Sequence, residues 1–145
     1  MRVLTVCMLL ATLFTAAGCG GGGGSSAVVG SDPATLMGGI WTLNSVTVNG
    51  STVSDVEFAR EASESNDATS LWLEFSSGNL EMAYEDNNDG IWRSLGSSPY
   101  TANASTITTD GESNSYSATA HSLVITYTGD YKTHTNATIS LSYAR

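Results

Sequence analysis

The chain has 145 residues with 5 basic and 14 acidic side chains, a formal charge of −9. That acidity excludes a protein that tracks nucleic-acid phosphates, which needs a basic stripe, and two cysteines are too few for a disulfide scaffold. Only 13% of residues are charged, about half the usual roughly 25%, and 21 Ser and 18 Thr supply the solubility instead, a composition of exposed β-strand in one domain.

Met1-Arg2 makes a short basic start, and residues 3–17 form an uncharged run of 15. Crossing roughly 30 Å of hydrocarbon takes about 20 residues, so the run fits a secretory signal. It ends in Ala16-Ala17-Gly18-Cys19, which resembles the lipobox of bacterial lipoproteins. The resemblance implies a signal peptide over residues 1–18, cleavage before Cys19, and acylation of its thiol and new amine by palmitate-type chains. An ordinary cleavage after Ala17, releasing a soluble protein, is the alternative. Residues 19–35 then form an acylated tether that begins with five glycines, Gly20 to Gly24. As a flexible coil its 16 residues from Gly20 reach roughly 20–24 Å. Gly20 rather than Asp behind the cysteine is compatible, by resemblance, with outer-membrane delivery. Cleavage would remove Arg2 and Cys7, leaving 4 basic and 14 acidic residues, a charge of −10. The folded part then has no free thiol, so catalytic cysteine, thiolate metal ligands and internal disulfides are excluded there.

From residue 36 onward the pattern is of strands. Ile40 to Val48 is the first, with a parity switch near Asn44-Ser45 that predicts a bulge. Residues 56–70, with Glu57, Arg60, Glu61, Glu64 and Asp67, read as a short helix or a charged loop. Leu71-x-Leu73-x-Phe75 and Leu80-x-Met82-x-Tyr84 flank Ser77-Gly78, and a tight turn there pairs Phe75 with Leu80, Leu73 with Met82 and Leu71 with Tyr84. Residues 87–90 turn the chain into a strand over 91–95. Residues 104–109 and 113–119 flank Asp110-Gly111, a strong hairpin signal that places Ile107 and Tyr116 on one side. Leu123-x-Ile125-x-Tyr127 and Ile139-x-Leu141-x-Tyr143 complete eight strands. Eight consecutive strands with one apolar face each are best buried as an up-and-down antiparallel barrel, which also removes the sheet edges; a two-sheet sandwich is the alternative.

The first strand opens with Gly39-Ile40-Trp41, and Gly90-Ile91-Trp92 begins the middle strand. With the stretch from Tyr116 to Tyr127, these features resemble the lipocalin-like domains of small bacterial lipoproteins. The resemblance covers residues 36–145 and implies an eight-stranded barrel in which Trp41 plugs the closed end under an arginine, for which Arg145 is the candidate. Trp41-Thr42-Leu43-Asn44-Ser45, followed by Gly50, also resembles the opening of the META-domain family, whose Gly-Cys-Asn motif is missing.

An eight-stranded barrel is just wide enough to be filled by side chains or to hold one small ligand. The lining expected to be available to a ligand is Trp41, Leu73, Phe75, Met82, Tyr84, Trp92, Tyr116, Ile125, Tyr127, Leu141 and Tyr143, an amphiphilic set suited to a hydrophobic molecule with a polar end. Metal and catalytic chemistry finds little support. His121 and His134 flank a strand at opposite ends. Residues 85–90 follow a calcium loop superficially, but its twelfth position, which needs a bidentate Glu, is Gly96. No phosphate loop, nucleophile elbow or acid–base pair stands out, and no cofactor is implied. The expectation is a non-enzymatic, lipid-anchored protein of the bacterial cell envelope, on the periplasmic or outer side, that binds a small hydrophobic ligand. The alternative is a filled barrel acting as a structural or protein-interaction module through outer Trp72 and a loop tip at Ser97-Ser98-Pro99.

Overall fold

The computed structural model of the protein describes residues 33–145. The expected signal peptide and lipid-attachment residue Cys19 lie outside the described residues. One turn of 3-10 helix, Pro33–Leu36, leads into nine strands. They are β1 (Ile40–Val48), β2 (Ser51–Val53), β3 (Ala68–Ser76), β4 (Asn79–Asp86), β5 (Trp92–Ala102), β6 (Thr106–Thr109), β7 (Glu112–Ala118), β8 (Ser122–Tyr131) and β9 (His134–Ala144). One α-helix, α1 (Asp55–Ser63), stands between β2 and β3.

Every sequential pair from β3 to β9 is antiparallel, β1 pairs with β3, and β1 also pairs with β9. Eight strands therefore close into a barrel, with β2 an extra strand on the upper end of β1. The hairpin registers follow the sequence patterning. Phe75 faces Leu80, Leu73 faces Met82 and Leu71 faces Tyr84, because the two-residue turn at Ser77-Gly78 puts both apolar sets on one face. The register of β1 against β9 shifts between Leu43 and Ser45, the expected bulge. Asp110 and Gly111 both have positive φ, 51° and 87°, which matches the twist of a two-residue hairpin and suits a residue pair tolerant of the left-handed region. Glu74 stands directly across from Glu81, a like-charge pair that is unfavourable across a strand pair.

The strand registers orient the barrel. Its closed end gathers the start of β1, the β3–β4 turn, the β7–β8 turn and the C-terminus. Its mouth gathers the end of β1, α1, the β4–β5 turn and the β8–β9 turn. At the closed end Trp41 is wholly buried and its indole N–H donates to the Leu36 carbonyl at 2.9 Å.

Three expectations are corrected. Trp72, expected as an outer contact, is buried at 9% exposure, with Trp92 packed against it. The sequence patterning puts Trp92 inside the barrel, yet it is 39% exposed and packs edge-on against Trp72 at 6.0 Å. The turn sets this: Tyr84 is paired with Arg93, so Trp92, one residue earlier and opposite Glu85, takes the outer parity. Ser97, Ser98 and Pro99, expected as a loop tip, lie within β5, which runs to Ala102 rather than ending near Leu95. A bulge at Leu95, where Met82 faces Gly96 and Ala83 faces Ser94, lets this long strand bend around the barrel. Gly96 has φ 133°, a backbone position that favours glycine.

Candidate functional site

Inside the barrel, below α1, is a cavity of about 130 Å³. Its apolar walls come from alternate positions of the strands: Leu71 and Leu73 of β3, Leu80 and Met82 of β4, Ile107 of β6, Ile125 of β8 and Leu141 of β9. Polar groups reach it from Thr109, Asn114, Tyr127, Tyr131 and Tyr143, and two carboxylates, Glu61 and Asp130, stand at its mouth. Among the described residues no Lys, Arg or His lines it.

The helix that roofs the cavity forms for local reasons. Ser54 in extended conformation caps it, its hydroxyl accepting from the Glu57 N–H at 3.2 Å. Asp55 and Glu57 in the first turn suit the positive end of the helix. Glu64 ends it in the left-handed region, with its N–H returned to the last turn. Phe58 is buried and stacks on Tyr131 at 5.8 Å, while Glu61 and Ala62 complete the inner face. On the outside Glu57 binds Lys132 of the β8–β9 turn at 2.9 Å, and the Lys132 hydrogen bond holds the Glu57 carboxyl below the usual carboxylate range.

The phenols at the cavity are held neutral. Burial pushes Tyr127 and Tyr143 far above the ordinary tyrosine value, with the Glu61 charge adding to the effect at Tyr127. Burial also raises Tyr131, against the lowering effect of the neighbouring Lys132 charge, and Glu61 adds to the rise. The Tyr131 hydroxyl is buried and has no hydrogen-bond partner among the described residues.

Of the expected lining, Leu73, Met82, Ile125, Tyr127, Leu141 and Tyr143 reach the cavity. Trp41, Phe75 and Tyr116 are buried in the barrel core but do not line the cavity. Phe75 packs edge-on against Tyr100 at 5.1 Å, and the Tyr116 hydroxyl donates to the Asn103 carbonyl at 2.7 Å. Tyr84 is half-buried against the core. Trp92 is on the outer wall, as described. The lining residues that sequence reading missed are Phe58, Glu61 and Ala62 of α1, with Thr109, Asn114, Asp130 and Tyr131. Continuing the Leu123-Ile125-Tyr127 alternation through Gly129 would have reached Tyr131, and continuing back from Tyr116 would have reached Asn114. Nothing local marks Glu61.

The closed end is tightly tied. The Arg145 guanidinium lies 4.0 Å from the Trp41 ring centroid. It donates to the carbonyls of Thr35, Met37 and Ala120, each at 2.9 Å. The last residue thus joins the 3-10 turn, the β7–β8 turn and the plug.

Elsewhere, two of the three acids in residues 85–90, Asp86 and Asp89, are engaged internally. Arg93 binds Asp86 and Asp89, each at 2.7 Å. The Asp86 carboxyl is held low by the Asn88 backbone N–H and by Arg93. Their carboxylates tie the turn to Arg93 and to its own backbone N–H groups. Among the described residues no group of three or more His, Cys, Asp or Glu is placed to hold a metal ion, and no helix is long and apolar enough to cross a membrane. His121 and His134 bracket β8 at opposite ends of the barrel. A scan against protein-family models finds no match, and a search of curated proteins finds no relative.

Proposed function

We propose that the protein is a non-enzymatic, lipocalin-like lipoprotein of the bacterial cell envelope that is tethered to a membrane, in the outer membrane by preference, through acylated Cys19 and carries a small, largely apolar molecule in its barrel. The observation that carries the binding half is the cavity of about 130 Å³, walled by aliphatic side chains, edged by tyrosine hydroxyls and roofed by a helix. Concave apolar sites with a few convergent polar groups are what small-molecule binding uses. The lipocalin-like reading draws support from the closed eight-stranded topology and from the placement of Trp41 beneath Arg145 at the closed end. The anchor rests on the Ala16-Ala17-Gly18-Cys19 motif and the glycine tether behind it.

A polarity-sensitive apolar dye titrated against the protein should saturate in the micromolar range, and Met82→Trp, which fills the cavity, should suppress it. No saturable signal from the unsubstituted protein would sink the carrier reading. For the anchor, Cys19→Ala should abolish labelling by radioactive palmitate and release the protein from membranes; retention of the label would refute it.

A second reading, a protein-interaction module, is favoured by one observation. Ile91 is 56% exposed beside the partly exposed Trp92, a small apolar patch on the outer wall. Loss of an in-cell cross-link on Trp92→Ser, with dye binding intact, would favour that role.

A further inference from the structure

The acidic and basic side chains lining the cavity are one-sided. Among the described residues Glu61 and Asp130 are the only carboxylates lining it, and both are exposed at the mouth. Neither is in an ion pair. The Glu61 carboxylate makes no ion pair or hydrogen bond among the described residues, and Asp130 uses one oxygen, Oδ1, to accept from the Asn136 N–H at 2.9 Å. Of the neighbouring cations, Lys132 pairs with Glu57 at 2.9 Å and stands 5.4 Å over the cavity's aromatic wall at Tyr131, and Arg60 donates through its Nε to the Ala68 carbonyl at 3.3 Å. Neither lines the cavity.

Beneath the two acids lie the rings of Phe58, Tyr127, Tyr131 and Tyr143. Aromatic faces attract a cation that has left water. The phenols stay neutral because burial raises them, so they can accept a hydrogen bond from an ammonium without carrying charge. The buried Tyr131 hydroxyl makes no hydrogen bond among the described residues, although Lys132 stands over its ring at 5.4 Å, and leaving such a hydroxyl unbonded is costly. A fatty-acid carboxylate would instead face two like charges on a chain already at −9. The volume limits the tail. An apolar cavity of about 150 Å³ accepts benzene, so one of about 130 Å³ takes a single ring or a short alkyl chain.

We propose that the ligand is a small cationic amphiphile, a protonated primary amine on a hexyl-sized or single-ring tail, whose tail fills the cavity and whose head meets Glu61 and Asp130 under the edge of α1. This rests on the carrier reading and narrows it to one class of ligand. The roofing helix, through Glu61, is then part of the recognition surface rather than a lid alone.

The test compares hexylamine, hexanol and hexanoate at pH 7 against the full chain, read by methyl NMR shifts of Met82, Ile107 and Ile125. An alkylamine, like lysine, is protonated at that pH. Hexylamine should bind about two- to fivefold more tightly than hexanol, the advantage expected of a partly exposed charge pair, and hexanoate should bind weakest. In the Glu61→Gln, Asp130→Asn double variant the amine should lose that advantage over hexanol. Both changes keep the side-chain shape, and the amide introduced in place of the Asp130 carboxylate keeps an acceptor for the Asn136 N–H. Hexanol or hexanoate binding as tightly as hexylamine would overturn the cationic head while leaving a carrier of other ligands standing. An amine preference that persists in the double variant would overturn the role of the two acids. No methyl shift with any of the three would overturn the carrier reading itself.

Discussion

Trp41 and Arg145 show how far single residues can be read from a sequence. The Gly39-Ile40-Trp41 motif marks Trp41 as a plug only through its resemblance to the opening of the lipocalin barrel, and the ring is wholly buried. The guanidinium that covers it comes from the last residue of the chain, a pairing that spacing alone suggests only weakly. Arg145→Ala removes the stacking and three hydrogen bonds to carbonyls, and should cost about 1–3 kcal/mol, seen as a lower urea midpoint. Arg145→Lys should recover little of it, since an ammonium lacks the planar fork that reaches separate carbonyls. The cavity tyrosines make a second residue-scale prediction. Tyr127 and Tyr143 keep their protons in the folded state well above the ordinary value of 10.0, while the unfolded chain releases them near it. Above that pH the folded state holds more protons, so stability, whole below pH 10, falls as pH rises, by up to about 1.4 kcal/mol per pH unit for each ring. Alkaline unfolding should begin just above pH 10, and Tyr143→Phe should flatten its slope; an unchanged slope would contradict the assignment. Trp92 marks where residue-scale reading fails. It shares the Gly-Ile-Trp spelling of Trp41, but the length of the turn over residues 87–90 sets its parity, and that turn is built by Asp86 and Arg93 acting together.

Hairpins are the most legible elements here. In the β3–β4 pair, turn length and period-two patterning specify the same register independently, since a slip of one residue would turn every apolar side chain outward. The helix is the least legible. It has charged residues at five of the positions between 55 and 64, and it is held by its cap, by Phe58 against Tyr131 and by contact with β3 and β1, none of which is a periodic apolar stripe. Ser54→Ala should cost about 1 kcal/mol and speed hydrogen exchange in α1 before it affects the barrel. Phe58→Ala should cost more, about 3–5 kcal/mol if the site does not collapse, and should quicken the exchange of bound dye by opening the mouth. Equal protection of helix and barrel amides in the Ser54→Ala variant would show that α1 is not a separately opening unit.

At the scale of the molecule, every strand pairs with a neighbour, and the circle closes only when β1 meets β9, some ninety residues later. Bringing such distant segments together costs loop entropy before any contact rewards it. Refolding followed by tryptophan fluorescence should therefore take milliseconds to seconds; a major phase completed within microseconds would be incompatible with closure as the limiting step. The sequence by itself determined the class of fold, the strand count of the barrel and the inner face of most strands, because each follows from short-range alternation and turn chemistry; the plug is implied only by the resemblance of its Gly-x-Trp motif. It also carries the motif at Cys19, a linear signal that needs no fold. Only the tertiary structure decided that the barrel keeps a cavity rather than filling, that α1 lies over its mouth, and that Glu61 and Asp130, 69 positions apart, face the same space. Those outcomes depend on how strand tilt, bulges and turn lengths add up around a closed circle, and no local pattern records that sum.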